Sequence, residues 1–241
     1  MSASGAPTAY RLILDPPRRP TLNMAIDEHL CGELSAGRTG PIIRLYGWSV
    51  PAVTIGYFQR ISAAVRLLGK EHPQVVRRLT GGGLVRHGSD VTLSLIVPVG
   101  HEKFRGEVKE SYLRVSEAVR AGLSTELPGL DYHDCRSLPS GRGRGERICF
   151  DEPACYDLLW RGQKVLGASQ RRFGGSILHQ SSLQAPLSGS MIRERILKGF
   201  AEVWRASFIE VPLSSEELAG AERVERERYA AAEWAEPAVS R

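Results

Sequence analysis

Two reactive side chains and a run of three glycines are the features of this sequence that could take part in chemistry. Cys149 lies in the stretch CFDEPACY, Lys164 follows in GQKVLGASQ, and Gly81, Gly82 and Gly83 form an uninterrupted triplet. A thiolate is a nucleophile, and a lysine ammonium can stabilise negative charge that develops on a carbonyl oxygen. Glycines accept positive φ and carry no Cβ, so a ligand can approach their N–H groups closely. Taken singly, each feature also has an ordinary structural explanation: a buried thiol, a solvated lysine or a tight turn.

The remaining cysteines show no CxxC pair and no regular spacing, which argues against a metal site and against a disulfide framework: Cys31, Cys135 and Cys155. We therefore expect free thiols and no bound metal. Cys155 is a rival to Cys149, but an extended chain would set the two thiols roughly 20 Å apart, so only one could reach a given carbonyl. Cys135 follows His133 and Asp134, yet neighbours in a chain rarely converge on one point as a catalytic triad.

The composition limits the class of protein. Hydrophobic residues make up 42% and charged residues 24% of 241 residues, and no linker divides the chain. We expect a single domain over residues 1–241, with a helical C-terminal segment from about residue 191. The sequence lacks both a run of about 20 apolar residues and a signal peptide, so neither membrane insertion nor export from the cytoplasm is expected. The net charge of +5 suits acidic partners, and no nucleic-acid-binding motif accompanies it.

The elements that must position the reactive residues begin with a strand over Thr8 to Asp15. The next segment, TLNMAIDEHLCGEL, is predicted to form a helix because its leucines and isoleucine recur at helical spacing. Strand-like runs follow at IIRLYGW, AVTIGYF, QVVRR and VTLSLIVPV, with glycine and proline between them. The glycine triplet is therefore expected in a loop that joins two strands.

The second half of the sequence continues the alternation of helix and strand. A helix is predicted between residues 107 and 127. Two strands follow, YDLLWRGQKVLGASQRR and GSILHQSSLQ, with turns at Arg161-Gly162 and around Gly174. Two helices are predicted to end the chain, from Met191 to Phe208 and from about Ser214 to Trp234, and the second begins with serine and glutamate at capping-box spacing. The pattern indicates an α/β or α+β fold.

Four segments, in their order and spacing, resemble the biotin/lipoate protein ligase and octanoyltransferase family: LNMAIDE, RLYGWSVPAVTIGYFQ, RRLTGGGLVRHGSDVTLSL and GQKVLGASQRR. The resemblance runs from about Pro7 to Gln184, and the RRxTGGGxVxH and GxKxxGxxQ segments are specific when they occur together. It implies an α+β catalytic domain with a mixed, largely antiparallel β-sheet flanked by helices. It also implies a tunnel for a medium-chain or lipoyl acyl group.

The resemblance further implies roles for individual residues. Lys164 matches the catalytic lysine of the family, and the loop from Arg77 to His87 would form one wall of the acyl tunnel. His87 could assist proton transfer or make only a structural hydrogen bond. The residues expected to contact the acyl group are Arg78, Thr80, Gly81, Gly82, Gly83, His87, Gly167 and Gln170.

The segment CFDEPACY resembles the Cys-Phe-x-x-Pro-x-x-Tyr stretch of cysteine-dependent octanoyltransferases of the LipM type, with Cys149 in the place of the nucleophile. The resemblance implies that Cys149 takes octanoate from acyl carrier protein as a thioester. The acyl group would then pass to a lysine of a lipoyl domain, such as the glycine cleavage H protein or the acyltransferase subunit of a 2-oxoacid dehydrogenase. Exchange between thioesters is nearly thermoneutral, so no cofactor is expected.

Two other functions remain open from the sequence. An ATP-dependent lipoate or octanoate ligase would act through an acyl-adenylate, would require ATP and Mg²⁺, and could hold a phosphate in the loop that begins at Arg77. A non-catalytic module that binds an acyl carrier or a lipoyl domain would keep the fold without forming a covalent intermediate.

Two segments differ from the family pattern or imitate part of it. The family's Gln-His-Gly-Ser appears here as His179-Gln180-Ser181-Ser182, so the first two residues are exchanged and a glycine is missing. The segment GRGRGER, residues 141–147, mimics a motif of biotin ligases. Those enzymes carry the motif where this chain has RRLTGGG, so we interpret the match as coincidence within a basic loop.

Overall fold

The computed structural model describes residues 8–69, 73–133, 149–151, 153–231 and 234 of the chain. Cys135, Asp134 and the GRGRGER segment lie outside these residues. In the described part, none of the helices combines the length and the apolar character needed to cross a membrane.

The strands form two β-sheets. Eight strands pair in the order β11-β1-β2-β6-β10-β9-β8-β7, and three form a smaller sheet in the order β4-β3-β5. In the larger sheet β1 is parallel to both β11 and β2, whereas every pair from β2 to β7 is antiparallel. This topology confirms the predicted mixed, largely antiparallel sheet. The strands are β1 (Ala9–Leu14), β2 (Ile42–Tyr46), β3 (Ala52–Ile55), β4 (Gln74–Arg77), β5 (Val85–His87), β6 (Val91–Pro98), β7 (Asp131–Tyr132), β8 (Leu158–Trp160), β9 (Gln163–Phe173), β10 (Ser176–Leu183) and β11 (Ser207–Glu210).

Helices cover both faces of the larger sheet. They are α1 (Pro20–Ser35), α2 (Ile61–Leu68), α3 (Val108–Leu123), α4 (Gly189–Trp204) and α5 (Ser215–Val224). Helices α3 and α4 pack on one face, whereas α1 and α5 pack on the other. The α3 and α4 backbones touch, because a Cβ on Gly122 would lie 1.9 Å from the carbonyl oxygen of Arg195. Helix α2 lies against the smaller sheet.

Strand alternation decides which side chains enter each half of the core. Along the central strands one set faces α3 and α4: Ile43, Leu95 and Ile177. The alternate set faces α1: Ile42, Ile96 and Leu178. Because β10 continues this alternation beyond Leu178, His179 and Gln180 must lie on opposite faces of the sheet.

Three local predictions differ from the structure or gain detail from it. The helix predicted to reach Phe208 ends at Trp204, because Arg205 adopts left-handed backbone with φ 54°. Residues 207–210 instead form β11, which pairs with β1. Helix α5 begins with the predicted capping box of Ser214 and Glu217, and it passes into a π-helical turn over Glu225–Tyr229.

Candidate active site

Cys149 is held beside the end of the glycine loop. Its backbone N–H donates to the carbonyl oxygen of Leu84 over 2.6 Å, and Leu84 directly follows the glycine triplet. Its thiol is free and partly exposed, whereas the free thiol of Cys31 is fully buried. Cys155 is disulfide-bonded, which corrects the expectation of a free thiol there. Of the cysteines that the structure describes, Cys149 is therefore the one whose thiol is both free and accessible.

Lys164 joins Cys149 to a carboxylate. Its Nζ lies 3.3 Å from the Cys149 Sγ and donates to the Cys149 carbonyl oxygen over 2.6 Å. The same nitrogen lies 2.7 Å from Asp157 Oδ2, and the two side chains are 1% and 6% exposed. Burial raises the pKa of Asp157, and the opposing effects of the Lys164 ammonium and the Ala154 N–H do not cancel this shift. The three groups form a row of carboxylate, ammonium and sulfur.

Gly167 makes this close approach possible. A Cβ at this position would lie 2.7 Å from Lys164 Cε, 3.1 Å from Lys164 Nζ and 3.3 Å from Cys149 Sγ. Any larger residue would push the lysine and the thiol away from their present positions. The glycine of the GxKxxG segment is therefore required by sterics on the inner side of β9.

Arg78 fixes the glycine loop between β4 and β5 from the inside. Its guanidinium donates to the carbonyl oxygens of Gly81, over 2.5 Å, and of Gly83, over 2.8 Å. Within the described chain, the N–H groups of Gly81, Gly82 and Gly83 donate to no acceptor. Burial lowers the pKa of Arg78 to about 10, which leaves the guanidinium charged at neutral pH. The loop thus directs carbonyls toward a cation and leaves its N–H groups without an acceptor among the described residues.

A pocket of about 370 Å³, a volume that includes its open mouth, connects these groups. Cys149, Arg78 and Gly167 line it together with Met24 and Tyr46. Of these lining residues, Cys149 is partly exposed, whereas Met24 and Tyr46 are buried.

His87 lines the same pocket and has partners at both ring nitrogens. Nδ1 lies 2.8 Å from Asp90 Oδ2, Nε2 lies 2.9 Å from Thr54 Oγ1, and the ring stacks on Trp48 with centroids 3.9 Å apart. Burial opposes ionisation of Asp90, but contacts that include His87 and Ser182 hold the pKa of Asp90 below its usual range. An ionised Asp90 accepts from the Nδ1–H of His87.

Thr80 lies behind the pocket wall and connects it to a buried charge network. Its hydroxyl donates to Gln180 Oε1 over 2.7 Å and accepts from Ser169 Oγ over 2.8 Å. Gln180 Nε2 in turn donates to Asp27 Oδ2 over 2.7 Å, and Asp27 pairs with the fully buried Arg44 at 2.6 Å. This network supports the wall of the pocket from the side of α1.

The structure thus distributes the predicted site residues over three places. Cys149, Arg78, His87 and Gly167 line the pocket, and Lys164 touches Cys149 and Gly167 from the side. The glycine triplet runs beside the pocket and Thr80 supports it. Gln170 faces α3, where its Oε1 accepts from Ser111 Oγ over 3.0 Å. Asp157 was not predicted; its position directly before the β8–β9 hairpin was the available signal.

Comparison with known proteins identifies the class. The family model of the lipoyl protein ligase A/B catalytic domain matches residues 19–210, and the chain belongs to this family. Octanoyltransferase LipM of Moorella thermoacetica is 30% identical, and the match covers 89% of this chain and 93% of that protein. Octanoyltransferase LipM of Kyrpidia tusciae is 31% identical, with 93% and 97% covered. The match to the Oceanobacillus iheyensis protein of the same name is 34% identical and covers 73% of this chain but 64% of that protein. The chain is accordingly an enzyme of the acyltransferase class.

Solved structures support the fold. A lipoate-protein ligase A bound with ATP superimposes with a TM-score of 0.76 at 20% identity, covering 95% of this chain and 98% of that one. A bi-partite lipoate protein ligase from Thermoplasma acidophilum gives a TM-score of 0.73 at 21% identity, with 97% and 98% covered. At this level of identity, the likeness establishes the lipoate-protein ligase fold and nothing further.

Proposed function

We propose that the chain is an octanoyl-[acyl-carrier-protein]:protein N-octanoyltransferase of lipoate biosynthesis that works through a thioester on Cys149. The observation that carries this proposal is the 3.3 Å contact between the Sγ of Cys149, which lines the pocket, and Lys164 Nζ. The similarity to proteins named octanoyltransferase agrees with it.

In the first half-reaction, the Cys149 thiolate attacks the carbonyl carbon of the octanoyl thioester on acyl carrier protein. A sulfur–carbon bond forms and the carbonyl oxygen gains negative charge. The Lys164 ammonium and the free N–H groups of the glycine loop provide donors for that charge. Collapse of the intermediate breaks the bond to the carrier's sulfur, which leaves as a thiolate and takes a proton from solvent. The acyl group then remains on Cys149.

In the second half-reaction, a neutral lysine amine of the acceptor protein attacks the carbonyl carbon of the Cys149 thioester. A carbon–nitrogen bond forms, the carbon–sulfur bond breaks, and the Cys149 thiolate is restored. The surplus proton of the amine goes to solvent. Because an amide is more stable than a thioester, this step runs downhill and drives the overall transfer.

The partner proteins follow from this chemistry. The donor would be octanoyl acyl carrier protein, and the acceptor would be a lipoyl domain such as the glycine cleavage H protein or the acyltransferase subunit of a 2-oxoacid dehydrogenase. The net charge of +5 on this chain complements acidic partners of this kind.

The loop arginines favour the thioester route over an ATP-dependent one. Arg77 donates to the carbonyl oxygens of Tyr57 and Gln59, and Arg78 donates to those of Gly81 and Gly83. These bonds commit NH1 of Arg77 and NH2 of Arg78 to backbone carbonyls, so a phosphate would have to compete with the carbonyls for those groups. We therefore propose that the transfer requires neither ATP nor Mg²⁺.

Intact-protein mass spectrometry tests the proposal after the chain is mixed with octanoyl acyl carrier protein without ATP. The wild-type protein should gain about 126 Da, the mass of an octanoyl group that replaces a hydrogen atom. Cys149→Ala should abolish this adduct. Cys31→Ala is the matched control, because it removes the fully buried thiol and should leave the adduct in place.

Other results would reject the proposal in distinct ways. An adduct that survives in Cys149→Ala would move the nucleophile elsewhere. Absence of an adduct, combined with modification of a lipoyl domain by free octanoate or lipoate and ATP, would identify a ligase. Binding of the carrier without any mass change and without transfer would indicate a non-catalytic module.

A further inference from the structure

Two hydrogen bonds, one in each direction, join Trp234 to Arg77, the residue that begins the glycine-loop segment. Trp234 lies beyond residues 19–210, which the family model matches. Its indole Nε1 donates to the Arg77 carbonyl oxygen over 3.0 Å, and Arg77 Nε donates to the Trp234 carbonyl oxygen over 2.9 Å. The Trp234 ring also contacts Tyr57 and Tyr229 edge-on, at centroid distances of 5.9 Å and 5.7 Å. Trp234 is thus attached to the last residue of β4.

Arg77 connects Trp234 to the turn that follows β3. Its side chain is buried, and its NH1 donates to the carbonyl oxygens of Gly56 (3.2 Å), Tyr57 (2.8 Å) and Gln59 (2.6 Å). A guanidinium that holds several carbonyls of one turn fixes the path of that turn. The Trp234 carbonyl orients this guanidinium through its Nε.

The turn that follows β3 is also in backbone contact with the glycine loop. A Cβ on Gly56 would lie 2.1 Å from the Gly82 carbonyl oxygen, and Tyr57 N–H donates to the Thr80 carbonyl oxygen over 2.9 Å. The loop then ends at Leu84, whose carbonyl oxygen accepts the Cys149 N–H. A shift of the turn would therefore move the loop amides and the backbone of the nucleophile together.

We propose that Trp234 is a positioning residue of the transfer reaction, which holds the triple-glycine loop in place through Arg77 and the turn at Gly56. This inference rests on the proposed function for its reaction readout. It predicts that loss of Trp234 slows acylation of Cys149 even in molecules that remain folded.

The experiment uses full-length Trp234→Ala and Trp234→Phe. The phenylalanine variant keeps a ring but removes the indole donor. The matched control is Trp204→Phe, because Trp204 Nε1 also donates to a backbone carbonyl over 3.0 Å, that of Arg114, at the α3–α4 contact away from the pocket. Single-turnover acylation by octanoyl acyl carrier protein is measured over a range of carrier concentrations and normalised to the amount of alkylatable Cys149.

We expect the acylation rate constant at saturation to fall at least 10-fold in Trp234→Ala and about 3-fold in Trp234→Phe. The half-saturating carrier concentration should stay within about 2-fold of wild type, because the loop amides act on charge that develops during the reaction. Trp204→Phe should keep both values within about 2-fold. Rate constants within about 2-fold of wild type in both Trp234 variants, with only a lowered melting temperature, would overturn the inference.

A second readout separates this inference from the proposed function. The rate at which iodoacetamide alkylates Cys149 requires no acyl donor, and we expect it to change at least 3-fold in Trp234→Ala. If the wild-type protein accepts no octanoyl group, the proposed function fails while this rate still decides the positioning role. An alkylation rate equal to that of wild type would then reject it.

Discussion

The Asp157 carboxylate lies 2.7 Å from the Lys164 ammonium, so the cation beside Cys149 is itself held by an anion. A buried charge without a partner is costly, and the pairing offsets part of that cost for both groups. The same pairing limits the directions in which the Lys164 Nζ can move. Asp157 therefore sets where the ammonium meets the sulfur.

Replacement of Asp157 by asparagine should leave Lys164 as a buried cation without a counter-charge. We expect the free energy of unfolding at pH 7 to fall by about 3 kcal/mol and acylation of Cys149 to slow at least 10-fold. Urea denaturation and single-turnover acylation measure the two effects. Asp151→Asn is the control, since Asp151 is exposed and lies in the same segment. Equal effects of the two substitutions would contradict this role for Asp157.

Replacement of Gly167 by alanine should damage the site more than the fold. The added methyl group would meet Lys164 Cε at 2.7 Å, and a flexible side chain can move aside at small cost. Displacement of the ammonium should nevertheless reduce acylation about 100-fold, with a change in unfolding free energy below about 1 kcal/mol.

The control for this substitution is Gly32→Ala. Gly32 lies within α1, and an added methyl group would meet no atom within 4 Å there, so alanine should leave the acylation rate unchanged. It should stabilise the helix by roughly 0.5–1 kcal/mol. If Gly167→Ala kept more than about half of the wild-type rate, the close approach at β9 would not matter for the reaction.

Replacement of Gln180 by leucine should disconnect the pocket wall from the charge network. Thr80 would lose its acceptor, and Asp27 would lose the donor that Gln180 provides. We expect a loss of about 2 kcal/mol in unfolding free energy by chemical denaturation. Gln163→Leu, at an exposed position of β9, should change it by less than about 0.5 kcal/mol. A neutral outcome for Gln180→Leu would show that the network is dispensable for stability.

His179 should make the fold sensitive to acid. Burial lowers the pKa of His179 to about 3, below the value near 6.5 of an unfolded chain. The neutral ring therefore stabilises the fold fully above pH 6.5, and this contribution is lost as the pH falls from 6.5 through about 3. Relative to His179→Gln, the wild-type protein should lose up to about 4 kcal/mol over that interval. Parallel stability curves for the two proteins, measured by urea denaturation at a series of pH values, would disprove the assignment.

Local patterns predicted most of the framework that holds the site. Apolar spacing identified α1, α3 and the long β9–β10 hairpin, and the capping box located the start of α5. Helix α2 was missed, because its eight residues are short and lie between two strand-like runs. Strand β11 was missed as well, because its pairing partner β1 lies almost 200 positions earlier and no local pattern encodes that contact.

The candidate site could be anticipated only in part. The family motifs pointed to Cys149 and Lys164, but the distance between them depends on how the loop before β8 returns to β9. Asp157 was missed because it follows Tyr156, whose left-handed backbone with φ 67° breaks the alternation that would give the direction of the next side chain. The role of Gln170 could not be anticipated either, since it depends on the packing of Ser111 from α3.

The alternation of side chains along β10 explains the effect of the exchanged order of His179 and Gln180. Gln180 reaches Asp27 at the pocket, whereas His179 lies among Phe104 and Tyr112 on the opposite face of the sheet. Exchange of two neighbouring strand residues thus places the imidazole on the opposite face of the sheet without any change in the backbone. An amide has no charge to gain or lose near neutral pH. At this position the wall of the pocket therefore carries the same charge at acidic pH as at neutral pH.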